Sequence, residues 1–120
     1  MTRMLLLALA LVVAGCAQTA AQSPGPAATE ARVGLTEWEV TTSASALSEG
    51  PVTLAVTNAG ATAHNLVLSD EGGRDRTPLL APGEQTSITV DLTGQREAVL
   101  WCDLPGHRAQ GMERVLPVAG

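Results

Sequence analysis

From residue 32 onward the chain is patterned in twos, and a period of two is met only by strands whose successive side chains face opposite ways. Between Val33 and Val40, Leu35, Glu37 and Glu39 alternate with Thr36, Trp38 and Val40, which predicts a strand with Trp38 on its apolar side. Val52 to Thr57 alternates again, and Asn58-Ala59-Gly60 ends it. His64 to Leu68 follows at once. Pro82-Gly83 marks a turn before Thr86 to Leu92, which alternates through Ile88, Val90 and Leu92. Ala98 to Cys102 and Arg114 to Val118 complete the set. No stretch of this region holds a helical period. About six or seven short strands, with turns roughly every 8–12 residues, predict an all-β single domain of the sandwich or barrel type.

The core of such a domain must be aliphatic. Phe and Tyr are absent, and Trp38 and Trp101 are the two aromatic residues. Val, Leu, Ile and Ala must fill the interior of residues 32–118, a thin core that a bound metal would help to hold.

Ahead of the domain the pattern differs. Arg3 supplies a positive start, Met4 to Val13 an apolar run, and Val13-Ala14-Gly15-Cys16 a small-residue cleavage site. A run of about ten apolar residues is half the ~20 that a spanning helix needs. Val-Ala-Gly-Cys resembles the lipobox of bacterial lipoproteins. The resemblance implies that residues 1–15 are a signal peptide and that Cys16 is lipidated. The protein is then anchored to a bacterial membrane on its extracytoplasmic side, periplasmic or cell-surface. Residues 16–31 are small, polar or proline and predict a flexible linker, with the folded domain at 32–120. Without the signal, six arginines face twelve acidic residues and there is no lysine. That balance argues against nucleic acid or an anionic lipid surface as the main partner.

With Cys16 given to the anchor, Cys102 stands alone in a secreted chain, where structural cysteines come in pairs. Burial and metal ligation are its two explanations. The segment Cys102-Asp103-Leu104-Pro105-Gly106-His107-Arg108-Ala109-Gln110-Gly111-Met112 offers a thiolate, an imidazole and a thioether in one loop between strands. The chain's other histidine, His64, opens a distant strand. Two histidines, one cysteine and one methionine make up the donor set of a trigonal His₂Cys copper site with a weak axial Met. The thiolate is soft and binds both copper oxidation states, and fixed ligands spare the ion a rearrangement between them. The remaining charges, Asp103, Asp70-Glu71 and Arg74-Asp75-Arg76, read as solvated loops.

The spacing Cys102-x₄-His107-x₄-Met112, with Pro105-Gly106 before the histidine, resembles the copper loop of the cupredoxins and is nearest to that of rusticyanin and auracyanin. Ala63-His64-Asn65 and Leu80-Ala81-Pro82-Gly83-Glu84 resemble the segments around that family's first histidine and the turn between the halves of its site. The resemblance implies a Greek-key β-sandwich with one type 1 copper held by His64, Cys102, His107 and Met112, and a function in single-electron transfer without catalysis. It also implies that Asn65 ties the two ligand loops together and that the Asn65 and Leu104 N–H groups approach the thiolate. His107 would stand near solvent, and redox partner proteins would dock beside it on a collar of Leu104, Pro105, Ala109 and Met112, with Arg108 at the rim. A cysteine protease would need a cleft and an orienting residue, and multicopper enzymes need more histidines than two. The alternative is an extracytoplasmic copper carrier or chaperone, which needs an open site that releases its ion.

Overall fold

The alternating segments become strands, and their pairing decides which face of each turns inward. A computed structural model describes residues 26–69 and 75–120; Cys16 and the signal segment lie outside the described residues. The described strands are β1 (Glu30–Thr36), β2 (Glu39–Thr42), β3 (Leu47–Ser48), β4 (Pro51–Asn58), β5 (Val67–Ser69), β6 (Asp75–Arg76), β7 (Gln85–Asp91), β8 (Glu97–Trp101) and β9 (Glu113–Ala119). A single 3₁₀ turn, Arg108–Gln110, stands among them. No helix of the described residues is long and apolar enough to cross a membrane.

The strands form two sheets, β2-β1-β4-β7 and β3-β9-β8-β5-β6, packed as a Greek-key β-sandwich. β4 is central to the first sheet, parallel to β1 and antiparallel to β7. Its inward positions, Val52, Leu54 and Val56, are fully buried, as β-branched and leucine side chains prefer on a half-buried pleated surface. Leu66, just ahead of β5, and Leu68, Ala98, Leu100 and Leu116 of the other sheet meet Val33, Leu35 and Val40 in one aliphatic core. The parity of β8 has a consequence beyond packing. With Ala98 and Leu100 inward, Cys102 falls on the same face and enters the core fully buried.

Three expectations change. Val33 to Val40 is a hairpin rather than one strand, with Leu35 opposite Val40 and Thr36 opposite Glu39. The turn resets the parity, so Leu35 is buried while Trp38 is 38% exposed at the tip instead of lying on the apolar side. The sheet also begins before residue 32. β1 starts at Glu30, Ala31 joins the core, and Ala28 bridges Leu47. Finally, Asp75 and Arg76 are paired with β5 rather than lying in a loop. β3 and β6 are each two residues long, too short for alternation to reveal. Asp70, Glu71 and Arg74 lie outside the described residues.

Candidate metal centre

The loop from β8 to β9 folds back on itself through backbone hydrogen bonds. Cys102 N–H donates to Met112 O at 3.2 Å, Met112 N–H to His107 O at 3.2 Å, and His107 N–H to Leu104 O at 3.1 Å. Gly111 closes the 3₁₀ turn at φ 127°, where a side chain would be strained and its Cβ would lie 2.9 Å from the Trp38 carbonyl. Cys102, His107 and Met112 therefore belong to one closed unit pressed against the β1–β2 turn. His64 arrives from the opposite side. Its N–H donates to Leu80 O at 3.1 Å and its carbonyl accepts from Leu80 N–H at 2.8 Å, which fixes its backbone and buries its ring.

Three of the expected ligands converge. His64 Nδ1 and His107 Nδ1 are 3.2 Å apart, Cys102 Sγ is 3.5 Å from His107 Nδ1, and the three atoms lie within 4.8 Å of one another. These spacings can be tested against a bound ion. Metal–nitrogen bonds of about 2.0–2.1 Å and a metal–sulfur bond of about 2.3 Å, at angles near tetrahedral, put nitrogens roughly 3.3 Å apart and sulfur roughly 3.5 Å from nitrogen. The residues fit. Met112 is fully buried beside them in the core, a thioether in a dry setting. Thiolate, two imidazoles and thioether suit copper in both of its oxidation states.

Asn65, the residue after His64, ties the two ligand segments. Its Oδ1 accepts the Asp103 N–H at 3.1 Å, and its Nδ2 donates to the Asp103 carboxylate. Asp103 in turn accepts from Arg76 at 2.8 Å, so the residue expected to be merely solvated joins its own loop to the His64 segment and to β6. Leu104 is half-buried against the core. Cys102 Sγ makes no hydrogen bond with the Asn65 or Leu104 N–H among the described residues.

The expected collar is also altered. Met112 is buried and contributes no surface, whereas Pro105 and Ala109 are exposed. Trp38 takes the place of Met112 at the surface, its ring meeting that of His107 edge-on with centroids 4.8 Å apart. Arg108 is occupied on both sides. Its guanidinium lies 4.3 Å over the Trp101 ring and donates to Glu113 at 2.7 Å, which holds the Glu113 carboxyl below its usual range.

Glu37 is the residue that the alternation hid. Its Oε1 lies 2.9 Å from His64 Nε2, the ring nitrogen turned away from the other ligands. The same carboxylate accepts from the Thr62 hydroxyl at 2.8 Å, from the Thr62 N–H at 2.8 Å and from the Ala61 N–H at 3.0 Å. Led by the Thr62 hydroxyl, these donors hold the Glu37 carboxyl down at about 2. The donors are presented by a loop that fully buried Asn58 builds, accepting from Gly60 N–H at 2.9 Å and donating to Thr62 O at 2.8 Å and Leu80 O at 2.9 Å. Glu37 and His64 are 27 residues apart, and nothing local in the sequence signals their meeting.

The family model for copper binding proteins of the plastocyanin/azurin family matches residues 40–119. Among solved structures, the chain is similar to dithionite-reduced auracyanin from Roseiflexus castenholzii, at 22% identity and TM-score 0.64 over 78% of this chain and 99% of that one. Auracyanin A, a "blue" copper protein from Chloroflexus aurantiacus, aligns at 18% identity and TM-score 0.57, covering 75% of this chain and 98% of that one. A multicopper oxidase aligns at 19% identity and TM-score 0.58, over 74% of this chain but 41% of its own. At these identities the likenesses establish the shared fold. No curated protein sequence matches the chain.

Proposed function

The chain belongs to the plastocyanin/azurin family of copper-binding proteins, and we propose that it carries single electrons through one type 1 copper ion held by His64, Cys102, His107 and Met112. The observation that carries this reading is the convergence of His64 Nδ1, Cys102 Sγ and His107 Nδ1 within 4.8 Å, with Met112 buried beside them. When bound, copper supplies a one-electron couple between Cu(I) and Cu(II). The residues supply the rest. Backbone hydrogen bonds hold the Cys102–Met112 loop closed, and Asn65 and Asp103 lock it to the His64 segment. A frame braced on both sides keeps the ligands in place whichever charge they surround. Full burial of Cys102 and His64 excludes water and favours retention of the ion over its delivery, which speaks against a copper chaperone.

His107 is half-exposed and forms the edge through which an electron would pass. Redox partner proteins would dock there against Trp38, Pro105 and Ala109. Leu104, half-buried against the core, would stiffen the thiolate's surroundings. Cys16, lipidated, would anchor the domain to a bacterial membrane on the extracytoplasmic side, and the segment before Ala28 would act as its tether.

The test is spectroscopic. Copper(II)-loaded protein should show an intense visible thiolate-to-copper charge-transfer band and a reversible one-electron wave in voltammetry. Cys102→Ser should abolish the band while the sandwich stays folded by circular dichroism. A loaded protein without the band, or a band that survives Cys102→Ser, refutes the assignment. Colourless Cu(I) binding with fast transfer to an acceptor would instead identify a carrier of copper.

A further inference from the structure

A histidine that binds through Nδ1 must carry its proton on Nε2, and whatever accepts that proton's hydrogen bond sets the ring's angle and its basicity. For His64 the acceptor is a carboxylate, Glu37 Oε1 at 2.9 Å. The carboxylate is not a passing neighbour. Ala61 N–H, Thr62 N–H and the Thr62 hydroxyl all hold it, and buried Asn58 shapes the loop that offers them. Gly60 supplies a second, independent sign that this meeting is built. A Cβ at Gly60 would lie 2.7 Å from Glu37 Oε1 and 2.9 Å from His64 Nε2, so the smallest side chain would fill the place where the two groups meet. The space is kept clear for them.

We propose that Glu37 is a positioning residue of the copper centre, an anionic partner that fixes the His64 ring and holds the reduction potential below what a neutral partner would give. The inference rests on the copper reading above. Its physical basis is charge. Copper(II) bears one more positive charge than copper(I), so a fixed negative charge on the far side of a ligand ring favours the oxidised form. The same carboxylate draws the Nε2 proton toward itself and makes Nδ1 a stronger donor, which acts in the same direction. The three other donors share the carboxylate's charge and moderate the effect without cancelling it.

Glu37→Gln keeps the shape and an oxygen acceptor while removing the charge. Measured by voltammetry on the full copper-loaded chain, it should favour Cu(I) over Cu(II) by about tenfold relative to the parent, a rise of about 59 mV for a one-electron couple. A rise equivalent to threefold or more supports the proposal; a smaller rise, no change or a fall overturns it. A purely structural role would leave the potential unmoved once copper is bound. Should the Gln variant fail to fold or to hold copper, Thr62→Val decides. It removes one donor from the carboxylate, leaves more charge on it and should lower the potential, while a rise or no change overturns the proposal. The charge-transfer band of the parent protein separates the two claims. If the band is absent, the copper reading fails; if it is present and the potentials do not move, the Glu37 inference alone fails.

Discussion

Asn65→Ala removes the side chain that joins the residue after His64 to the residue after Cys102. Asn65 is 8% exposed, so its bonds are made largely out of water. One of them, from the Asp103 N–H at 3.1 Å, is an ordinary neutral bond, and such bonds contribute about 1 kcal/mol net. The other reaches a carboxylate, where about 1.5–3 kcal/mol is usual. The Asp103 side chain is 25% exposed and shared with Arg76, so the low end of that range applies. The loss should therefore be about 2–3 kcal/mol, since alanine also leaves the Asp103 N–H without a partner. For a domain of this size each kcal/mol moves the melting temperature by about 4–8 °C, giving a fall of roughly 10–20 °C. Urea unfolding of the metal-free protein, followed by far-ultraviolet circular dichroism, measures it directly. The midpoint should fall at constant slope, because the surface exposed on unfolding does not change. A loss under about 1 kcal/mol at unchanged slope would refute the claim that this tie holds the two ligand segments together.

Two further outcomes follow from the same structure. Leu54 is fully buried in the central strand, and Leu54→Ala should cost about 2–5 kcal/mol in urea unfolding, the usual range for a leucine-sized cavity. Glu37 gives a pH dependence with a definite sign. Its carboxyl titrates at about 2 in the folded protein against the usual 4.5, so its contribution to stability is complete above about pH 4.5 and lost as pH falls toward 2. Unfolding midpoints taken across that window should drop for the parent and drop less for Glu37→Gln; parallel curves would contradict the assignment.

Much of this protein could be read along the chain. Alternation between Val52 and Thr57, Thr86 and Leu92, and Ala98 and Cys102 is local chemistry, and each segment became a strand near its expected bounds. Cys102, His107 and Met112 lie on one short loop, so their spacing already implied a shared centre, and His64 was the one remaining imidazole. What the sequence left open was every decision that depends on a distant partner. Whether Leu35 or Trp38 faced inward was settled by the hairpin Leu35–Val40 and by pairing with β4. Asp103 looked solitary because Asn65 and Arg76 stand 38 and 27 residues away. Glu37 looked like one polar step in a strand until the turn carried it onto the back of His64. Periodicity and ligand type are properties of neighbours along the backbone, and they fixed the class of fold and the donor set. The hydrogen bonds that aim those donors join residues far apart in the chain; pairing of β5 with β6 and β8 brings Asn65, Asp103 and Arg76 together, and the β1–β2 turn carries Glu37 to His64.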